Sequence, residues 1–160
     1  LSDLLKNARR NDQLFEKSKR LVLALVEATT WVDVQAALDD SLRKDFSVDA
    51  WAMLHFTERQ LEPPLIAIHS SEVQRSVHRL FKGHRAICGQ LPEADIAQLL
   101  GVEESACRSV AAAHIRGKDN LGILTVASED PGYYRSSVDT LFLDFIADVL
   151  ALRLPQVPVS

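Results

Sequence analysis

The last third of the chain constrains its fold most. Two apolar runs, Cys107–Ile115 and Leu121–Ser128, flank a short turn containing Gly117 and Asn120. Runs of this length between turn residues read as strands, and so short a turn joins them as an antiparallel hairpin. Asp130-Pro131-Gly132 forms a loop, and an apolar helix is expected from about Ser136 to Leu154, with Ser136 and Asp139 as an acid-type capping pair. Val138, Leu141, Phe142, Phe145, Ile146, Val149 and Leu150 make a broad stripe on it, widened by Leu143, Ala147 and Ala151. A face that wide has to be buried against something.

Upstream, residues 4–29 read as a long helix. Leu14, Ser18, Leu21, Leu25 and Ala28 share one face, with Phe15, Val22 and Val26 beside them. Before Leu14 the pattern is polar and charged, so that half is either solvated or paired with another chain. From Leu21 to Val26 the helix is apolar all round, which predicts burial on more than one side. Thr30 and Asp33 predict the cap of a second helix carrying Val34, Ala37, Leu38, Ser41 and Leu42. Arg43 and Lys44 suit the negative end of its dipole.

Asp49–Phe56 is a short, nearly continuous apolar run and reads as a central strand, with Leu65–His69 beyond Pro63 and Pro64 as its hairpin partner. Ser71 predicts the start of a third helix, stopped by Gly83. Arg85–Leu91 reads as an extended segment. Pro92 opens a fourth helix that Gly101 ends. Hairpin-connected strands with helices segregated outside them predict an α+β fold built on a central antiparallel sheet.

Composition excludes several functions. A net charge of −4 argues against nucleic acid as the main partner, which needs a positive field. The longest uninterrupted apolar run near the start, Leu21–Val26, is far too short to span a bilayer, and no signal peptide is expected within the given residues. The sequence opens on Leu1 rather than Met, so residues before it are expected. Two cysteines, Cys88 and Cys107, do not make a disulfide framework, and a reduced, cytoplasmic setting is expected.

The segment Leu121-Gly122-Ile123-Leu124-Thr125-Val126-Ala127-Ser128, followed by Pro131, Tyr133, Tyr134 and a helix through Asp139, Leu143, Ile146, Ala147 and Leu150, resembles the end of GAF domains. With Gly83-His84-Arg85-Ala86-Ile87-Cys88-Gly89 included, nearly everything after residue 12 resembles a bacterial GAF-like family, domain of unknown function 484. The resemblance implies an antiparallel sheet with helices on both faces. The first and last helices would pack on one face and often dimerise. The middle helices would roof a ligand pocket on the other. Residues 1–29 would be a signalling-type dimerisation helix, 30–154 the GAF-like domain and 155–160 a tail.

The function expected is a non-catalytic sensory or interaction module in the bacterial cytoplasm. It would be a homodimer through its terminal helices, with a small molecule or a protein as partner. No membrane, nucleic acid, metal or cofactor is expected. Trp51, Met53 and His55 alternate onto one strand face, and a ligand is expected between them and Phe81, Arg85 and Cys88. Trp51 and Phe81 would supply apolar contact, Arg85 charge and His55 a polar tip. The cyclic-nucleotide and bilin signatures of other GAF domains are not found. One alternative is a thiol-dependent free methionine sulfoxide reductase using Cys107 and Cys88, whose surroundings resemble those enzymes' cysteine sites. A purely structural dimerisation module is another. The basic stretch Arg75, His78, Arg79, Lys82, His84 and Arg85 reads as a solvated helix face. His55, His69, His78, His84 and His114 show no metal-ligand spacing.

Overall fold

The computed structural model describes residues 2–61, 65–135 and 137–158, with side chains for all of these except 137–139. The elements run α1 (Ser2–Glu27), α2 (Trp31–Lys44), β1 (Ala50–Phe56), β2 (Leu65–Ile68), α3 (Ser71–Leu80), β3 (Ala86–Gln90), α4 (Glu93–Leu100), β4 (Ser109–Arg116), β5 (Asn120–Ser128) and α5 (Ser137–Arg153). A 3-10 turn, Leu154–Gln156, follows α5. The strands form one sheet in the order β2-β1-β5-β4-β3.

The caps explain most of the boundaries. Thr30 caps α2 by accepting from the Asp33 amide at 3.2 Å. Asp33 reaches back to Thr29, taking its amide at 3.0 Å and its hydroxyl at 2.7 Å. Those bonds hold the Asp33 carboxyl below its usual pKa. Ser70, one residue earlier than expected, caps α3. Gly101 ends α4 in the left-handed conformation, φ 67°, with its amide on the last carbonyls of the helix. Ser136 and Asp139, the expected cap of α5, lie outside the described residues and side chains.

The closing hairpin β4–β5 and the pairs β1–β5 and β3–β4 are antiparallel, as expected. The β1–β2 pair is not: β2 runs parallel to β1, with Met53 opposite Leu65 and Phe56 opposite Ile68. A two-residue hairpin needs positive φ in its turn, which Pro63 and Pro64 cannot adopt. The chain needs to retreat only from the level of Phe56 to that of Met53, about 10 Å at strand rise. So the parallel pairing needs no long crossover, and the described part of the connection, 57–61, holds no helix.

Strand alternation then divides the interior into two cores. Trp51, Met53, Ala111, Ala113, Leu124 and Val126 face α1, α2 and α5. Ala52, Leu54, Val110, Ala112, Ile123 and Ala127 face α3 and α4. Small residues on the second face let α4 lie close on β1 and β5, so Ile96, Leu99 and Leu100 fill the space beside Val77 and Phe81. Gly122 is needed for a related reason: a Cβ there would overlap the Leu54 carbonyl oxygen across the β1–β5 pair.

Ser18, Leu21, Leu25 and Ala28 are buried, but residues 2–13 are exposed along the whole first half of α1. The second buried side expected for Leu21–Val26 is absent within one chain, where Leu23 is 54% and Val26 55% exposed.

Candidate ligand-binding site

The sheet separates the residues expected to share a pocket. Trp51 and Met53 are buried on the α1/α2/α5 side, whereas Phe81 lies on the α3/α4 side. There Phe81 packs on the ring of His114, centroids 4.0 Å apart. Cys88 sits half-buried on the Trp51 side. Arg85 is directed to α5, with Nη2 2.5 Å from Asp148 Oδ1 and 3.6 Å from Asp144 Oδ1. A single ligand cannot touch Trp51, Met53 and Phe81 together in this arrangement. Alternation had sorted the strand residues correctly into two faces, but it does not say which face the middle helices cover.

Trp51 and Met53 are core residues. Trp51 is 4% exposed, and its indole Nε1–H donates to Asp39 Oδ1 at 2.8 Å. Met53 is completely buried. The two thiols also differ in setting. Cys107 is buried beside the α3/α4 core, and burial pushes its thiol pKa up. Cys88 belongs to the opposite core. The sheet stands between them, so this conformation gives neither thiol the other as a resolving partner. Arg75, Arg79, Lys82 and His84 are exposed, consistent with a solvated helix face.

His55 is the expected residue whose surroundings invite a ligand. It is 3% exposed and stacks on Trp31 of α2, with ring centroids 4.7 Å apart and planes inclined by 21°. Its Nε2 is buried without a hydrogen-bond partner among the described residues. Burial lowers its pKa to about 4, so the ring is neutral near pH 7. His55 lines a cavity of about 550 Å³ that is closed on one side by the segment after α5. That segment is fastened over α2: Trp31 donates from Nε1 to the Leu154 carbonyl at 3.1 Å and from its amide to the Pro158 carbonyl at 2.9 Å. Arg153 adds bonds to the Leu25 and Ala28 carbonyls, at 3.2 and 2.7 Å.

Trp31, Arg59 and the closing segment were not among the residues expected at a site. Leu154 lies far along the chain from Trp31, so no local pattern joins them. A tryptophan in the first turn of a helix was the one available signal.

A second polar cluster lies on the α3/α4 side. His78 and His114 stack at 4.8 Å, and Asn120 Nδ2 lies 2.8 Å from His78 Nε2. His114 is 1% exposed, and burial, followed by the nearby Arg116, lowers its pKa to about 4. Among the described residues, no group of three His, Cys, Asp or Glu is placed to hold a metal ion, and no helix is long and apolar enough to cross a membrane.

Strand order, the two helical layers and the long first helix define a GAF-like fold. Two solved structures show the same fold at low sequence identity. One is the far-red absorbing dark state of JSC1_58120g3 with bound biliverdin IXa, with a TM-score of 0.65, 12% identity and coverage of 88% of this chain and 98% of that one. The other is the GAF domain from Acinetobacter phosphoenolpyruvate-protein phosphotransferase, with a TM-score of 0.62, 13% identity and coverage of 89% and 93%. The chain belongs to the family described as "Protein of unknown function, DUF484", which matches residues 1–159. No curated protein matches it.

Proposed function

We propose that this chain is a non-catalytic sensory or interaction module of the GAF type. It works in the bacterial cytoplasm as a homodimer joined through α1 and α5, and it binds a small molecule or a protein partner. The observation that carries this reading is the uncovered apolar face of those two helices. Phe15 and Leu141 are each 67% exposed and Phe145 is 50% exposed. They border a groove of about 390 Å³ whose walls include Leu14, Val22 and Phe142. A contiguous exposed patch of this kind marks an interaction surface.

A second copy is the occupant that fits best. The groove and the large side chains able to fill it lie side by side on the same two helices. A two-fold axis would therefore bring Phe15 or Phe145 of each copy to the other's groove. The exposed first half of α1 offers further helix to lie along a partner. The fold likeness to a domain with bound biliverdin supports a binding role in general, but not that ligand. The side of the sheet where the resemblance expects a pocket is filled by Val77, Phe81 and Leu99.

Light scattering tests the assembly. The chain should be a dimer at micromolar concentration, and Phe15→Glu with Phe145→Glu should be a monomer that keeps its circular dichroism spectrum. A wild-type monomer at that concentration would reject the dimer.

A further inference from the structure

We propose that the cavity between His55 and the segment Leu154–Pro158 is a binding site for a small apolar monocarboxylate. The inference rests on the reading of the chain as a binding module, but it uses none of the residues of the α1/α5 groove. It also places the ligand away from the α3/α4 side, where the GAF resemblance would put it.

Size, polarity and charge each limit the ligand. A cavity of about 550 Å³ falls within the range that small molecules occupy. Trp31, Leu121, Leu154 and Val157 give it an apolar wall suited to an aryl or branched alkyl body. Arg59 is the one ionised side chain among its described lining residues, and no described acid pairs with it. A single guanidinium without a described ion-pair partner favours a singly charged anion, and its planar fork matches a carboxylate.

His55 supplies the second, independent argument. A buried ring nitrogen without a partner is unfavourable, and most buried polar atoms are satisfied. Here the unpartnered Nε2 belongs to a residue that lines the cavity and is 3% exposed. That nitrogen is itself almost fully covered, so a ligand with one hydrogen-bonding group beside its apolar body satisfies it by shifting the side chains that now cover the ring. The Trp31 indole N–H is not available for that purpose, because it already donates to Leu154. Trp31 thus touches both the ring of His55 and the segment that closes the site, so an occupied cavity should be felt in that segment.

The test is a titration of the isotopically labelled chain, followed by amide and indole resonances. The probes are phenylacetate, indole-3-acetate and 4-methylpentanoate, with phenylacetamide as a neutral control. At least one carboxylate should saturably shift the Trp31 indole N–H and the amides of Leu154, Gln156 and Val157, while the Trp51 indole stays in place. Phenylacetamide should bind about tenfold more weakly than phenylacetate, and Arg59→Ala should remove that difference. His55→Phe keeps a flat ring and removes the unpartnered nitrogen. It should fold at least as stably as wild type and still lose about tenfold in affinity. Arg59 is remote from the core, so its variant remains informative if His55→Phe does not fold. The proposal is overturned if no carboxylate saturably shifts the Trp31 indole, if Arg59→Ala binds phenylacetate as tightly as wild type, or if a folded His55→Phe does. A monomeric chain that still shows the shifts would reject the dimer and keep this site. A dimer without them would do the reverse.

Discussion

The indole N–H of Trp51 donates to Asp39 Oδ1 at 2.8 Å, and the Nε of Arg43 approaches the same oxygen at 2.8 Å. One carboxylate oxygen thus ties β1 to α2 and steadies the last turn of that helix. Both bonds favour the charged form, and they hold the Asp39 carboxyl below its usual pKa, the Trp51 bond most strongly. A depressed folded pKa contributes stability above the unfolded value near 4 and loses it as pH falls through the folded one. Asp39 is 49% exposed, so solvent screening keeps the contribution small. Asp39→Asn should cost about 0.5–1 kcal/mol at pH 7 by denaturant melting, and the difference should shrink toward pH 3. An equal cost at both pH values would show that charge plays no part.

The two buried histidines act in a different pH range. His55 and His114 both have pKa values lowered to about 4, from 6.5 in the unfolded chain. Between those values the unfolded state holds more protons than the folded one, so stability rises with pH there. Thermal melts from pH 7 to pH 4 should therefore show a falling midpoint, with each histidine contributing on the order of 2–3 kcal/mol to the slope. His55→Phe and His114→Phe should each flatten the profile. A wild-type profile already flat over this range would contradict the buried, neutral state.

Gly122 allows a close backbone approach between β1 and β5. Its partner across β1–β5 is His55, and a Cβ at position 122 would overlap the Leu54 carbonyl. Backbone cannot yield as a flexible side chain would, so Gly122→Ala should destabilise by about 3 kcal/mol or more. Gly83, with open space around its Cβ position but φ +83°, should tolerate alanine better, at about 1 kcal/mol. Urea melts of the two variants decide the order, and an equal cost at both positions would show that the Leu54 contact does not set it.

Much of this fold is written in short-range chemistry, and the exceptions share a cause. The α2 cap at Thr30, the end of α4 at Gly101 and the β4–β5 hairpin each depend on a few neighbouring residues, and each lies where the sequence predicts. The direction of β2 depends on the path of the chain between two strands, which composition does not record. The residues expected at one site lie on two sides of the sheet for the same reason. Alternation correctly sets Trp51, Met53 and His55 apart from Leu54 and Ala52, yet only the packed structure shows which layer covers them. Trp31 and Leu154 meet only because α5 runs back across the sheet to the end of α1.

Arg153 marks that return. It donates to the Leu25 carbonyl at 3.2 Å and the Ala28 carbonyl at 2.7 Å, at the end of α1, which lacks basic residues in its own last turn. A cation there also suits the negative end of the helix dipole. Arg153→Ala should cost about 1–2 kcal/mol and raise hydrogen exchange in the last turn of α1 and in residues 154–158. Unchanged exchange in both segments would show that Arg153 does not clasp them in solution.

The last prediction concerns the thiols. Attack on a sulfoxide needs a thiolate, and the Cys107 thiol is pushed toward its protonated form by burial, with Asp49 and Glu129 acting in the same direction against the Ser105 hydrogen bond. Cys88 lies across the sheet and packs with the other core. The chain should therefore show no turnover of free methionine sulfoxide with a thiol reductant. Cys107 should react with a disulfide reagent at pH 7.5 far more slowly in the folded chain than in urea. Mild oxidation should leave Cys88 and Cys107 unlinked, as read by mass spectrometry under non-reducing conditions. Turnover lost in Cys107→Ser, or an internal disulfide formed without unfolding, would mean that the chain visits a conformation in which the sheet no longer separates the two sulfurs.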